Sequence, residues 1–91
     1  MYENGHKPGT VRFRLKPKGK PKKVELAGNF CDWKPMWMAK QKAGDFAKTV
    51  ELPAGTHEYK FVVDGQWLQD PDHRDWVTNQ YGTLNSIAVI Q

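Results

Sequence analysis

From Thr56 to Pro71 the chain reads Thr-His-Glu-Tyr-Lys-Phe-Val-Val-Asp-Gly-Gln-Trp-Leu-Gln-Asp-Pro, and this stretch leaves little choice of local structure. A β-branched and aromatic run, His57 to Val63, meets Asp64-Gly65 and resumes as Gln66 to Gln69. Such a run broken by Asp-Gly reads as a hairpin with a two-residue loop, a turn that needs positive φ at both centres. The loop sets the register: Val63 faces Gln66, Val62 faces Trp67, Phe61 faces Leu68 and Lys60 faces Gln69. Because side chains alternate, Tyr59, Phe61, Val63 and Leu68 share the face expected in the core, and Lys60, Val62, Trp67 and Gln69 share the outward face. Burial gives no reason for a tryptophan beside an ammonium and an amide on the outside of a sheet, so the outward face is a candidate binding surface.

The rest of the chain repeats the strand signal. Val11, Phe13 and Leu15 alternate with Arg12, Arg14 and Lys16, and Val24 and Leu26 point inward in the next run, Val24 to Gly28. Gly28 to Pro35 reads as a loop, Met36 to Met38 as a short strand, and Phe46 to Leu52 as a strand whose alternation Lys48 disturbs. Trp76 to Gly82 reads as irregular, and Asn85 to Ile90 as the last strand. No long segment carries helical periodicity. About seven short strands with a turn signal near every tenth residue predict an all-β fold, an immunoglobulin-like antiparallel β-sandwich. Residues 1–9 are expected to be a flexible segment, and 10–91 a single domain.

Ninety-one residues suffice for one core but not for a deep catalytic cleft. The composition is polar, with a mean hydropathy of -0.76, yet it holds four Trp, four Phe and three Tyr. No segment approaches the ~20 apolar residues that span a bilayer, the first residues lack the apolar stretch of a signal peptide, and Cys31 stands alone; a cytoplasmic address is expected. Net charge is +4, but residues 1–42 carry eleven Lys or Arg against three Asp or Glu, and residues 43–91 three against seven. Much of the excess is the Pro/Gly-broken run Lys16 to Lys23. It contains no interleaved aromatic for a nucleobase, so it reads first as a solvated loop and only second as a polyanion site.

Three separated pieces stand out: Ala27-Gly28-Asn29-Phe30-Cys31-Asp32-Trp33, Tyr59 to Trp67 with Asp70-Pro71, and Tyr81-Gly82-Thr83-Leu84-Asn85-Ser86. In this order and spacing they resemble the glycogen-binding domain of the AMP-activated protein kinase β subunit and the family 48 carbohydrate-binding modules found beside starch- and glycogen-active enzymes. The resemblance runs from about Lys22 to Ile90. It implies a β-sandwich that binds α-1,4-linked glucans without cleaving them. Carried over by position, the stacking tryptophans fall on Trp33 and Trp67, the binding lysine on Lys60, the loop residue that presses into the glucan on Tyr81, and the polar contacts on Thr83 and Asn85. Tyr81 departs from the leucine common in the kinase subunits, as do Cys31 and Asp32 from asparagines, the latter two being expected to shape the loop.

The residues support this reading on their own chemistry. A glucose ring offers C–H groups on its faces and hydroxyls at its rim, so its receptor needs flat aromatics edged by a few donors and acceptors. Trp37 and Trp76 have no counterpart role and are expected to pack. His6, His57 and His73 lack metal-ligand spacing, and no cofactor is implied. Asp64, Asp70, Asp72 and Asp75 offer carboxylates, but Asp64 and Asp70 are explained by turns and a small sandwich lacks walls to exclude water, so glycoside hydrolysis is not expected. The chain is thus expected to be non-catalytic, localising a partner to glycogen or starch-like glucan. The competing expectation is a protein-interaction module that docks a kinase or a glucan-active enzyme, with sugar binding vestigial; a weaker one is a polyanion binder acting through Lys16 to Lys23.

Overall fold

The structure is a computed structural model and describes residues 1–73 and 75–91. Its strands are β1 (Tyr2–Asn4), β2 (Thr10–Leu15), β3 (Val24–Gly28), β4 (Met36–Trp37), β5 (Ala39–Lys40), β6 (Phe46–Glu51), β7 (Gly55–Val63), β8 (Gln66–Leu68), β9 (Trp76–Thr78) and β10 (Leu84–Ile90), with a 3-10 turn at Asn29–Cys31. One antiparallel sheet runs β1-β2-β6-β5, the other β4-β3-β7-β10-β9 with β8 added on β7. The result is the expected all-β sandwich, with short strands β1, β5 and β9 beyond those legible in the chain.

Strand β7 organises the second sheet. One edge pairs with β3 from Tyr59 to Val63. The other edge is divided, β10 taking Gly55 to Tyr59 and β8 taking Phe61 to Val63. Lys60 therefore sits at a fork where the neighbouring strand changes. The register of the hairpin is as expected for Val63↔Gln66, Val62↔Trp67 and Phe61↔Leu68. It stops before Lys60 and Gln69, because the chain turns inward there: the Asp70 amide donates to Ser86 Oγ at 2.7 Å, and the Asp70 carboxylate is buried.

The core is built from the inward side chains of both sheets, including Phe13, Leu15, Leu26, Phe46, Tyr59 and Phe61. The Tyr59 ring meets Phe13 at 4.9 Å and Phe61 at 5.7 Å between centroids, both edge-on. Such pairs contribute roughly 0.5–1.5 kcal/mol each beyond their buried area.

Several expectations are corrected. Leu68 is 43% exposed and lies outside the core, because β8 is a three-residue rim strand. Val62, assigned outward, does face outward yet is only 3% exposed. Its registered neighbours are Glu25 and Trp67, whose larger side chains flank it on the sheet surface. Residues 2–4, placed in a flexible segment, pair with β2 from Tyr2↔Phe13 to Asn4↔Val11. Residues 76–78, read as irregular, pair with β10. Trp37 and Trp76 do not pack. Trp37 is 64% exposed, since Met36 beside it takes the inward position and both sit on an edge strand. Trp76 is half exposed on the opposite edge strand, β9.

Candidate functional site

The six residues singled out in the chain, Trp33, Lys60, Trp67, Tyr81, Thr83 and Asn85, line one open groove of about 760 Å³ on the outer face of the second sheet. Three local devices hold them there.

Trp67 is held by the hairpin. Asp64 and Gly65 have φ of 47° and 85°, the two left-handed residues the loop requires. The Asp64 carboxylate also accepts from the backbone amides of Lys22 at 3.0 Å and Lys23 at 2.9 Å, which ties the hairpin tip to the end of the lysine-rich connection.

Trp33 is presented by a compact loop. Gly28 N–H donates to Cys31 Sγ at 3.3 Å, that thiol lies 3.3 Å from the Gly28 carbonyl, and Trp33 N–H returns to the same carbonyl at 2.9 Å. Cys31 thus shapes the loop. Asp32 and Trp33 both adopt left-handed φ, 53° and 58°, a conformation that costs non-glycine residues of order 1–3 kcal/mol each and clusters at functional loops. Gly28 is required for space: a Cβ there would lie 2.6 Å from the Glu58 carbonyl oxygen.

The third wall is the turn from Asn79 to Thr83, and Asn79 builds it. Its Oδ1 accepts from the amides of Tyr81 at 3.0 Å and Thr83 at 3.1 Å. Its Nδ2 donates to Thr83 Oγ1 at 2.6 Å and to Asn85 Oδ1 at 3.0 Å. Lys60 Nζ donates to Thr83 Oγ1 at 3.0 Å from across the fork. Asn85, which is buried, donates through Nδ2 to Glu58 Oε1 at 3.0 Å, and the Glu58 amide donates to Asn29 Oδ1 at 3.2 Å. A continuous polar floor therefore runs from the Trp33 loop to the Tyr81 turn. Tyr81 stands at the turn's tip with 81% of its surface exposed.

Asn79, Glu58 and Asn29 escaped the reading of the chain. Asn79 did leave a signal, since asparagine three residues before glycine marks a type I turn capped by its own side chain. Glu58 and Asn29 left none, because their roles depend on strands brought together by the fold.

The arrangement offers flat apolar faces around a hydrogen-bonding floor. Among the described residues the groove's lining holds a single carboxylate, Glu58, and it accepts from Asn85. Asp64 is engaged by backbone amides at the hairpin tip, and Asp70 accepts the Tyr59 hydroxyl at 2.6 Å inside the core. Burial, and then the Asp70 carboxylate, push the Tyr59 hydroxyl well above the usual tyrosine range. Among the described residues no cluster of three or more His, Cys, Asp or Glu side chains is placed to hold a metal.

The family model for the glycogen recognition site of AMP-activated protein kinase matches residues 11–91. The chain belongs to this family. It is 40% identical over 73 residues to AMP-activated protein kinase subunit beta-1 from Sus scrofa, covering 80% of this chain and 58% of that one. It is 41% identical over 70 residues to subunit beta-2 from Homo sapiens, covering 77% and 25%. The chain thus spans under two thirds of these relatives. In fold it is similar to part of the maltogenic amylase from S. marinus, with a TM-score of 0.79 and 22% identity over 100% of this chain and 16% of that one. Family membership makes this domain a non-catalytic carbohydrate-binding module rather than an enzyme.

Proposed function

We propose that the domain binds α-1,4-linked glucans, glycogen or a starch-like polymer, through Trp33, Lys60, Trp67, Tyr81, Thr83 and Asn85. The observation that carries this reading is that all six, chosen from three distant parts of the chain, line one groove. Trp33, Trp67 and Tyr81 supply ring faces for the C–H surfaces of successive glucose units. Lys60 and Thr83 supply rim groups for hydroxyls. The hydrogen bond between them leaves the ammonium two further protons and the Thr83 hydroxyl its own proton to donate. Asn85 is largely engaged by Asn79 and Glu58, so its part is to hold the floor and to offer its second amide proton. Affinity per site is weak because the groove is open, and repeated sites along a polymer raise it through multivalency.

Binding of this kind localises a partner to the polymer. The partner is a kinase or a glucan-active enzyme, as the names of the similar proteins suggest, and the compartment is the cytoplasm, in keeping with the lone Cys31. A reading in which the domain chiefly docks a protein draws support from Leu68 and Trp76, apolar side chains exposed outside the groove. The deciding experiment is a tryptophan-fluorescence titration with a maltooligosaccharide and with β-cyclodextrin, with a cello-oligosaccharide as control, at low and high salt. A saturable, salt-insensitive change with the α-glucans alone is expected. A folded sample that responds to no sugar refutes glucan binding, and steep salt dependence points instead to the lysine run.

A further inference from the structure

Outside the groove, the outer face of the second sheet carries a second exposed indole. Trp37 on β4 is in register with Glu25 on β3, Glu25 with Val62 on β7, and Val62 with Trp67 on β8. Directly paired residues in an antiparallel sheet project to the same side, so Trp37, Glu25, Val62 and Trp67 form one row across four strands. Three strand spacings separate the two indoles, about 14 Å between backbones.

The surroundings of Trp37 match those of a sugar platform. The Lys23 ammonium lies 5.0 Å from the centroid of its ring and fixes the indole on one side by a cation–π contact. The same ammonium pairs with Glu25 at 3.4 Å, so a cation lies over one face of the ring and a carboxylate is held beside that cation. Trp37 remains 64% exposed despite these contacts. A lone surface tryptophan needs no special explanation. One that is oriented by a lysine, paired across the strands with a glutamate and in one row with a groove tryptophan is a different case. The row continues the groove rather than opening a separate site.

We propose that Trp37, held by Lys23 over one face with Glu25 as its cross-strand neighbour, is a second stacking platform for an α-glucan chain long enough to cross the face from Trp67. This rests on the glucan reading of the groove. It makes affinity depend on chain length: a short oligosaccharide occupies the Trp33–Trp67 groove alone, and a longer one engages Trp37 as well.

The test is calorimetric titration of the chain and its Trp37→Ala and Trp37→Phe variants with maltotriose and maltodecaose. The unaltered chain is expected to bind maltodecaose more tightly. Trp37→Ala should weaken maltodecaose binding about three- to tenfold, the scale of one aromatic contact, and leave maltotriose unchanged. Trp37→Phe should fall between. A measurement that does not depend on the alanine variant folding is the indole N–H resonance of Trp37, assigned by its loss in Trp37→Phe. It should shift with maltodecaose and not with maltotriose, whereas those of Trp33 and Trp67 shift with both. If Trp33 and Trp67 respond to both sugars while Trp37 responds to neither, the platform is refuted and the groove stands. If no indole responds to either sugar, the glucan reading and the platform fall together.

Discussion

The Tyr59 hydroxyl donates to the Asp70 carboxylate across 2.6 Å, with both residues buried beneath the groove. The bond ties the middle of β7 to the chain just after β8, the two elements that carry Lys60 and Trp67. The groove's floor and the Trp67 side are thus held in relation to one another from the core side.

Tyr59→Phe keeps the ring and removes the hydroxyl, leaving the buried Asp70 carboxylate with the Met1 ammonium and the Asp72 amide as donors. The loss of this hydrogen bond to a charged group is expected to cost about 1–3 kcal/mol of stability. The pH dependence has a definite sign. The folded-state pKa of Tyr59 is raised above the unfolded value near 10, so the folded state keeps a proton that the unfolded state releases. Its contribution is present in full below about pH 10 and is lost as pH rises beyond that. Denaturant unfolding at pH 8 and pH 11 should therefore show a larger loss for the unaltered chain than for Tyr59→Phe. An equal loss in both would mean the hydroxyl does not carry this dependence.

Trp67→Ala should abolish measurable glucan binding, a weakening of at least about tenfold, with a melting temperature close to that of the unaltered chain. Its indole is 46% exposed, so truncation removes a platform rather than a filled core volume. Affinity electrophoresis in glycogen-containing gels, read beside thermal unfolding, checks both halves. Loss of the fold would reassign Trp67 to the structure.

Asn79→Ala tests a groove-lining residue whose side chain positions its neighbours. Four hydrogen bonds from its side chain hold Tyr81, Thr83 and Asn85 in place. The turn lies at the surface, so stability should fall by only about 1 kcal/mol. Affinity should fall severalfold, because the Tyr81 ring and the Thr83 hydroxyl would no longer be held in advance. Titration calorimetry with a maltooligosaccharide separates these effects, and unchanged affinity would show that the turn's order does not matter for binding.

Much of the groove was legible in the chain because its makers are local. Asp64-Gly65 dictates a hairpin with one register, and the register places Trp67 and Lys60 on the outward face. The polar floor was not legible, since Glu58, Asn79 and Asn29 meet only when β7, β10 and the Gly28–Trp33 loop are assembled. Leu68 and Trp37 show the limit of period-two reasoning. Alternation states which side of a strand a residue occupies, but not whether anything lies over that side. Leu68 is on the inward side of a rim strand, beyond the core, and Trp37 is on the outward side of an edge strand.

The sequence by itself determined most of the strands, the Asp64-Gly65 turn and the outward face of the hairpin that carries Lys60 and Trp67, because steric limits on φ and the alternation of side chains act over a few neighbours. Trp33, Tyr81, Thr83 and Asn85 were picked out by the resemblance of their motifs to a family. Tertiary structure alone decided that β8 and β10 divide one edge of β7, that Asp70 lies buried against Tyr59, and that Trp37 is in register with Trp67. Those relations join residues distant along the chain. They arise from burying one shared core, which no local rule encodes.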